Sequence, residues 1–476
     1  MHKLTKIVAT IGPSCDSPEM IEKMIKAGVD VFRFNFKHST VEWHNERIKR
    51  VNDVAAKMGA PVGTLIDLQG PEIRINMPVD EMPIKEGEKY LFGEESFKKK
   101  EPGFSISHPQ IISFLKEGQK VLAEDGTYTF LIEKSGKKTY LRSKTTGILK
   151  NRKNFNIPGA AFPFPVMVER DFDGLKLAQR HEIDYVALSF VRSAEDLRTV
   201  KKEMAKYKIK AKIVAKIETR KALENLDEII TESGAVMVAR GDLGVETPIQ
   251  EVPYYQKIII EKCIEKGIPV ITATQMLQSM VSNPNPTRAE VSDVANAAYD
   301  LTDAVMLSGE SANGKYPLEA VSMMKKVVSF NEIKDLKDHR KRFDFKIEDT
   351  EGVFCNNAYE LYLLHKIQKK SVSGFIIFSH TGRTVRLISR YRPLVPIFAF
   401  TPDKNVSESL SLSFGVVPFV YRQMAKKSAV NKKDIRELID NLKKKGLVKE
   451  NSLLIILHGD FWAIKGQTST LRLVEA

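Results

Sequence analysis

Eight short, nearly continuous apolar runs recur at residues 6–12, 29–36, 61–67, 184–191, 212–217, 235–239, 269–274 and 303–307. A strand with one face in water alternates apolar and polar side chains. A run that is apolar at almost every position must be covered on both faces. Helix-like stretches separate the runs and carry their own start and stop signals. Residues 17–27 open on Ser17-Pro18, a cap followed by a first-turn proline, and stop at Gly28. Residues 253–266 stop at Gly267. Eight strand–helix units in series predict an α/β fold, a TIM (β/α)8 barrel.

The alternation breaks between the third and fourth runs. There the chain reads as short β-like segments, and Asp125-Gly126 and Ser135-Gly136 read as hairpin turns. This predicts a small β-barrel-like lid domain at 74–158, inserted into a loop of a catalytic barrel formed by 1–73 and 159–335. A lid in that loop would lie over the active face and exclude water on closing. After a polar, charged boundary at 334–351 a second α/β pattern begins. It has a helix at 353–368, strands at 374–378 and 395–400, a helix at 384–391, and strands at 416–421 and 452–457. It predicts a C-terminal α/β regulatory domain at 340–476. Three units suit a chain of 476 residues, which exceeds what one hydrophobic core fills.

No run of eighteen apolar residues appears, so no membrane span is expected. Met1-His2-Lys3 leads straight into the first strand candidate and leaves no room for a signal peptide. Cys15, Cys263 and Cys355 lack metal-site spacing and read as small buried apolar residues in a reducing, cytoplasmic setting. The net charge of +14 is dispersed. Its local runs, Lys98–Lys100 and Lys443–Lys445, read as solvated faces, and no nucleic-acid motif accompanies them.

Barrel enzymes place their chemistry at the carboxyl ends of the strands. Those ends carry Arg33, Asn35, Lys37 and His38; Asp67, Leu68 and Arg74; Lys216 and Glu218; Gly241 and Asp242; and Thr274. Two carboxylates there suit a hard divalent cation, and a lysine beside them suits a phosphoryl group or an enolate. Singly, each has a structural alternative. Asp242 reads equally as a helix N-cap, Arg33 as the partner of a barrel carboxylate, and Thr274 as the cap of a helix at 275–280. Together they point to a phosphorylated anion bound with a metal. Further on, Ser379, Thr381, Gly382, Arg383 and Thr384 follow a strand and open a helix, which suits either a phosphate or ordinary capping.

These strand ends resemble the pyruvate kinase family. The motifs are ATIGPSC, RFNFKHS, GPEIR, DYVALSFVRS, AKIET, ARGDLGVE, ATQMLQSM, NPTRAEVSDVANA and DAVMLSGESANGKYPLEA. The likeness covers nearly the whole barrel. It is looser in the final domain and loosest in the insert. The resemblance implies phosphoryl transfer from phosphoenolpyruvate to ADP, giving pyruvate and ATP, usually by a homotetramer in the cytoplasm. Glu218 and Asp242 would then hold Mg2+ (or Mn2+). Lys216 and Arg33 would face the moving phosphoryl group. Gly241, Asp242 and Thr274 would meet the substrate's carboxylate and enolate region. Asn35, His38, Arg74 and Arg170 match nucleotide-contact positions, and the turn from Ser379 to Thr384 matches a sugar-phosphate effector loop.

The chain departs from the family at its monovalent-cation site, where Asn35, Asp67 and Leu68 would serve K+. Lys37 stands where the family has serine, and Leu68-Gln69 where it has threonine-lysine. Either the Lys37 ammonium replaces K+, with Asn35 and Asp67 as its partners, or it turns to solvent and K+ binds with one ligand fewer. Two further readings compete with the kinase: a silent relative kept as a sensor, and another metal-assisted enolate enzyme on a barrel.

Overall fold

In the computed structural model, which describes residues 3–97, 101–159, 164–338, 345–347, 349–425, 431–459 and 468–476, every one of the eight apolar runs is a strand. They are β1 (Lys6–Thr10), β2 (Val31–Asn35), β3 (Gly63–Asp67), β4 (Tyr185–Leu188), β5 (Lys212–Ile217), β6 (Ala235–Ala239), β7 (Val270–Ala273) and β8 (Ala304–Leu307). All neighbours pair in parallel, and β1 closes on β8. Val8, Val31, Leu65, Val214, Met237, Ile271 and Met306 fill the interior, joined by Leu412 from the C-terminal unit. The outward faces pack on the surrounding helices in a larger core. Each large apolar side chain buried this way contributes roughly 1.5–3 kcal/mol.

The local signals act as their chemistry requires. Ser17 caps α1 (Pro18–Ala27) by accepting the Met20 N–H, and Gly28 ends it in the left-handed region at φ 119°. A second helix, α2 (Arg240–Glu246), begins directly at the end of β6. Gly267 at φ 65° stops α3 (Val252–Lys266), and its N–H satisfies the Cys263 and Ile264 carbonyls. A side chain at either glycine would meet the left-handed penalty. The helix expected at 275–280 does not form. Thr274 and Gln275 both take positive φ, 68° and 54°, and two such residues cannot start a right-handed helix. Only a short 3-10 turn follows at Gln278–Val281.

Between β3 and β4 lies an all-β unit with a seven-stranded sheet and a separate two-stranded pair. The Tyr128–Ser135 and Lys138–Ser143 strands form a hairpin in which Ser135 faces Lys138. The Asp125-Gly126 turn joins Lys120–Ala123 to Tyr128–Ser135. Phe92, Phe104, Phe130 and Phe155 pack ring to ring at this unit's centre.

After α4 (Pro317–Asp338) comes an α/β unit built on α5 (Thr350–Ile367), α6 (Arg383–Ser389) and α7 (Lys432–Lys444). Its strands are β9 (Val372–Phe378), β10 (Ile397–Thr401), β11 (Val416–Val420), β12 (Leu453–His458) and β13 (Thr470–Glu475). The sheet order is β11-β10-β9-β12-β13, parallel except for β13. Lys443 and Lys444 lie in the last turn of α7. The Lys98–Lys100 run lies outside the described residues. All three cysteines are buried and free. Among the described residues no helix is long and apolar enough to cross a membrane.

Candidate active site

β5 ends with Lys216 and Glu218 on one side of the strand, as the two-residue period dictates. The Lys216 ammonium lies 2.8 Å from Glu218 and 3.3 Å from Asp67 at the end of β3. It also donates to the Ser189 hydroxyl at 2.8 Å. Burial opposes its charge, but Asp67, Glu218 and Asp242 outweigh that and hold its pKa above the ordinary lysine value. Lys216 is therefore a permanent cation. The other Glu218 oxygen accepts the Phe190 N–H at 2.7 Å.

Arg33, nearly buried at the end of β2, is fully engaged inside the barrel. Its Nε and Nη2 reach one Asp67 oxygen at 2.8 and 2.6 Å, and its Nη1 donates to the Thr10 hydroxyl at 2.9 Å. The pairing with a barrel carboxylate is thus real. It coexists with a place at the mouth, because Asp67 also serves Lys216. Burial works to raise the Asp67 pKa, but Lys216 and Arg33 together pull it below the usual carboxylate value.

Asp242 is not an N-cap. It lies inside the first turn of α2, whose cap position is Ala239. Burial and the Glu218 carboxylate push its carboxyl up to about 7, against the opposing charges of Lys216 and Lys37. Asp67, Glu218 and Asp242 thus share Arg33 and Lys216, with Lys37 acting on Asp242 from further out. A divalent cation relieves the repulsion between Glu218 and Asp242. Among the described residues no group of three or more His, Cys, Asp or Glu gathers as a metal site. Two carboxylates fit Mg2+, which keeps several waters and takes substrate oxygens for the rest.

Thr274 is not a cap either. Its Oγ1 accepts the Gly241 N–H at 2.9 Å, and its carbonyl accepts Arg240 Nη2 at 2.7 Å. Arg240 also binds the Ala273 carbonyl at 3.1 Å and is clamped by Asp293 at 2.7 Å. This clamp holds a β-branched residue in the left-handed region, a strained state typical of functional loops. The Gly241 N–H, expected to face substrate, donates to Thr274 in this conformation.

The Lys37 ammonium does not reach Asn35 or Asp67. It pairs with Glu72, whose other oxygen takes Arg74 Nη2 at 2.7 Å. The reason is local. β2 stops at Asn35, so the strand's alternation no longer governs Lys37. The Asn35 side chain turns back to the Lys37 N–H at 3.4 Å. Leu68 is buried, and its carbonyl accepts the Ser189 hydroxyl at 2.9 Å. Arg170 binds the carbonyls of Phe36, His38 and Ser39 and lies over the Phe36 ring, so it shapes the turn rather than reaching into the cleft. Burial and the nearby Lys37, Arg74 and Arg33 lower the pKa of His38.

Lys37, Glu72 and Asp242 are among the residues lining a cleft of about 380 Å3 between barrel and β unit. Glu246, which also lines it, accepts the Gly159 N–H at 3.4 Å, and burial pushes it up to about 7. Sequence reasoning missed Glu246, Ser189, Thr10 and the pairing role of Glu72. Ser189 was reachable, since it stands at the end of β4 and the strand-end rule covers it.

A (β/α)8 barrel with buried, opposed charges at the carboxyl ends of its strands, overlooked by a β unit, defines a class of barrel enzymes that act on small anions. Residues 2–321 match the family described as pyruvate kinase, barrel domain, and residues 363–474 the one described as pyruvate kinase, alpha/beta domain. The chain is 36% identical to the pyruvate kinase of Geobacillus stearothermophilus over 477 residues, covering 99% of this chain and 80% of that one. It is 37% identical to that of Clostridium acetobutylicum over 479 residues, covering 98% of each. Against that of Staphylococcus epidermidis the figure is 35%, covering 98% of this chain and 80% of the other. The chain belongs to the pyruvate kinase family, whose reaction links phosphoenolpyruvate and ADP to pyruvate and ATP.

Proposed function

We propose that the mouth binds phosphoenolpyruvate against Lys216 and Arg33, with Mg2+ (or Mn2+) held by Glu218 and Asp242, and passes the phosphoryl group to ADP. One observation carries this reading: Lys216 lies 2.8 Å from the buried Glu218 and 3.3 Å from Asp67 at the strand ends, beside Asp242, whose carboxyl burial and Glu218 push up to about 7. The cation would neutralise charge on the transferring group. The chain's own residues supply position and fixed charge, which is most of what phosphoryl transfer requires. Lys216 stays protonated throughout and faces the phosphoryl oxygens, then the enolate. Arg33 is held rigid by Asp67 and Thr10. Thr274 and Gly241, now bonded to each other, would turn their hydrogen bonds to the substrate's carboxylate end.

For the nucleotide, Asn35, His38 and Arg74 would meet the phosphates, and Arg170 would act through the turn it holds. We assign 74–158 as the lid over the barrel of 1–73 and 159–335, and 340–476 as a regulatory unit. There Ser379, Thr381, Gly382, Arg383 and Thr384 would receive a sugar phosphate. A homotetramer in the cytoplasm completes the reading, and sedimentation tests the assembly.

The proposal extends to the monovalent cation. Asp67 Oδ2 is taken up by Arg33 and the Leu68 carbonyl by Ser189, while Asp67 Oδ1, without a hydrogen bond, faces the Lys216 ammonium at 3.3 Å, a fixed cation that competes with K+ there. The Lys37–Glu72 pair places an ammonium in the cleft that Asp242 also lines. Reduced K+ dependence follows. Steady-state pyruvate and ATP formation in K+-free buffer, with K+ then titrated in, tests both levels. Turnover before K+ is added supports the kinase and the built-in charge. Turnover only with K+ keeps the kinase and removes the role of Lys37. No turnover at any K+ concentration removes the kinase. Lys37→Ser should raise the K+ response about tenfold, the scale of one partly exposed charge.

A further inference from the structure

The Ser379–Thr384 turn already holds anionic ligands of its own. The Arg383 Nη1 donates to Glu351 and its Nη2 to Asp349 at 2.5 Å. The Thr384 hydroxyl is hydrogen-bonded to Glu351, and a further hydrogen bond of 3.1 Å links it to the Thr468 hydroxyl. Glu351 is buried although it carries a carboxylate, its side chain 7% exposed against 47% for Arg383. The backbone is engaged as well, since the Gly382 N–H donates to Ser379 Oγ at 3.0 Å. Both carboxylates come from one place. Asp349 caps α5 by accepting the Gly352 N–H at 2.8 Å, and Glu351 lies in that helix's first turn.

One guanidinium N–H of Arg383 and the Thr384 hydroxyl converge on the two oxygens of Glu351, and such charged and hydroxyl donors are what a phosphate monoester recognises. We propose that Glu351 is a tethered occupant of this oxyanion site, and that a phosphorylated effector enters only by displacing it. The inference rests on the effector reading given above and adds its regulation. Glu351 and a phosphate cannot both accept from the Thr384 hydroxyl and the same Arg383 N–H. The tether gives the carboxylate an effective concentration of about millimolar or more. A phosphate monoester brings roughly −1.5 to −2 charges against the single charge of Glu351, so it prevails only at high concentration. Displacement would free the first turn of α5, the first helix of the C-terminal unit, which follows α4 of the barrel in sequence. Effector binding and the start of α5 are therefore one equilibrium.

Calorimetric titration of the full-length protein with fructose 1,6-bisphosphate, and separately with inorganic phosphate, tests the idea. Glu351→Gln keeps the volume and removes the charge. Its expected dissociation constant is at least tenfold lower than that of the parent. Equal affinity in parent and variant overturns the tethered occupant while keeping the effector site. No binding to either protein overturns the effector reading itself. A second measurement needs no variant: amide exchange at Gly352 and Val353 in the parent should quicken when the sugar bisphosphate binds. Binding with unchanged exchange there overturns displacement.

Discussion

The two ends of the barrel handle buried charge in opposite ways. At the amino-terminal floor almost every buried carboxylate is closed off by partners. Asp303 pairs with Arg392 at 2.6 Å and also accepts the Val270 and Phe414 N–H groups at 3.1 and 2.9 Å. Glu332 accepts the Leu4 and Thr5 N–H groups and the Thr5 hydroxyl. Asp30 is shared by Lys3, Lys6 and the Ile7 N–H. At the mouth, Asp67 and Glu218 are paired with Arg33 and Lys216, while burial and the Glu218 carboxylate raise the pKa of Asp242 against Lys216 and Lys37. The floor is complete without a ligand and serves stability. In the function proposed above, the mouth is completed by a ligand. This division is what the fold's general rule for its two faces demands.

Substitutions should therefore act oppositely at the two ends. Asp242→Asn should lower kcat about a thousandfold or more, the scale of several kcal/mol expected when transition-state charge loses its neutralising partner. The same change should stabilise the metal-free protein at pH 8 by about 2 kcal/mol, because it removes an uncompensated buried charge. Kinetics and urea denaturation on one preparation check both. A variant that loses activity and stability together would break the contrast. At the floor, Asp303→Ala should cost about 3–5 kcal/mol by leaving Arg392 buried and unpaired. Activity per folded molecule should be unchanged. Next in size is the cation effect. Mg2+ at about a hundred times its dissociation constant should stabilise the parent by about 2.7 kcal/mol. It should leave Asp242→Asn nearly unmoved. Equal stabilisation of both would place the ion elsewhere.

Much of this was legible because the signals were local. Parallel strands covered on both faces have no polar alternation to obscure them, and serine-proline and glycine marked the ends of α1. The edge strand β13 escaped notice because its side chains are mostly half exposed, which breaks the apolar run. The positions of Lys216, Glu218 and Arg33 followed from strand ends. Their partners did not, since Thr10, Asp67 and Ser189 come from other strands, and registry across a barrel is not written in any one of them. The left-handed Thr274 was unreadable for a related reason. Its conformation is imposed by Arg240 and Gly241, against the residue's own preference. Lys37 follows the end of β2, so nothing in the strand's own pattern shows that it turns to Glu72 rather than to Asn35 and Asp67.

One floor carboxylate breaks the pattern and offers the finest test of the contrast. Asp184, just before β4, is buried. One oxygen accepts the Thr64 N–H and hydroxyl at 2.8 and 2.9 Å, while the other has no hydrogen-bond partner. Among the described residues no cation lies within 4 Å of it. Burial, aided by Glu408, pushes its carboxyl up to about 8 from 3.8. The unfolded chain loses this proton near 3.8, so between the two values the folded state holds a proton that the unfolded state has lost. Stability must then fall as pH rises from about 4 to about 8. Asp184→Asn removes the titration and should gain about 2 kcal/mol at pH 8 while gaining almost nothing at pH 4. Urea denaturation of both proteins across that range gives the answer. Curves that diverge with rising pH would make Asp184 a mouth-like residue on the floor. Curves that stay parallel would mean that Asp184 is ionised in the fold, and that a charge without a partner is no mark of the mouth.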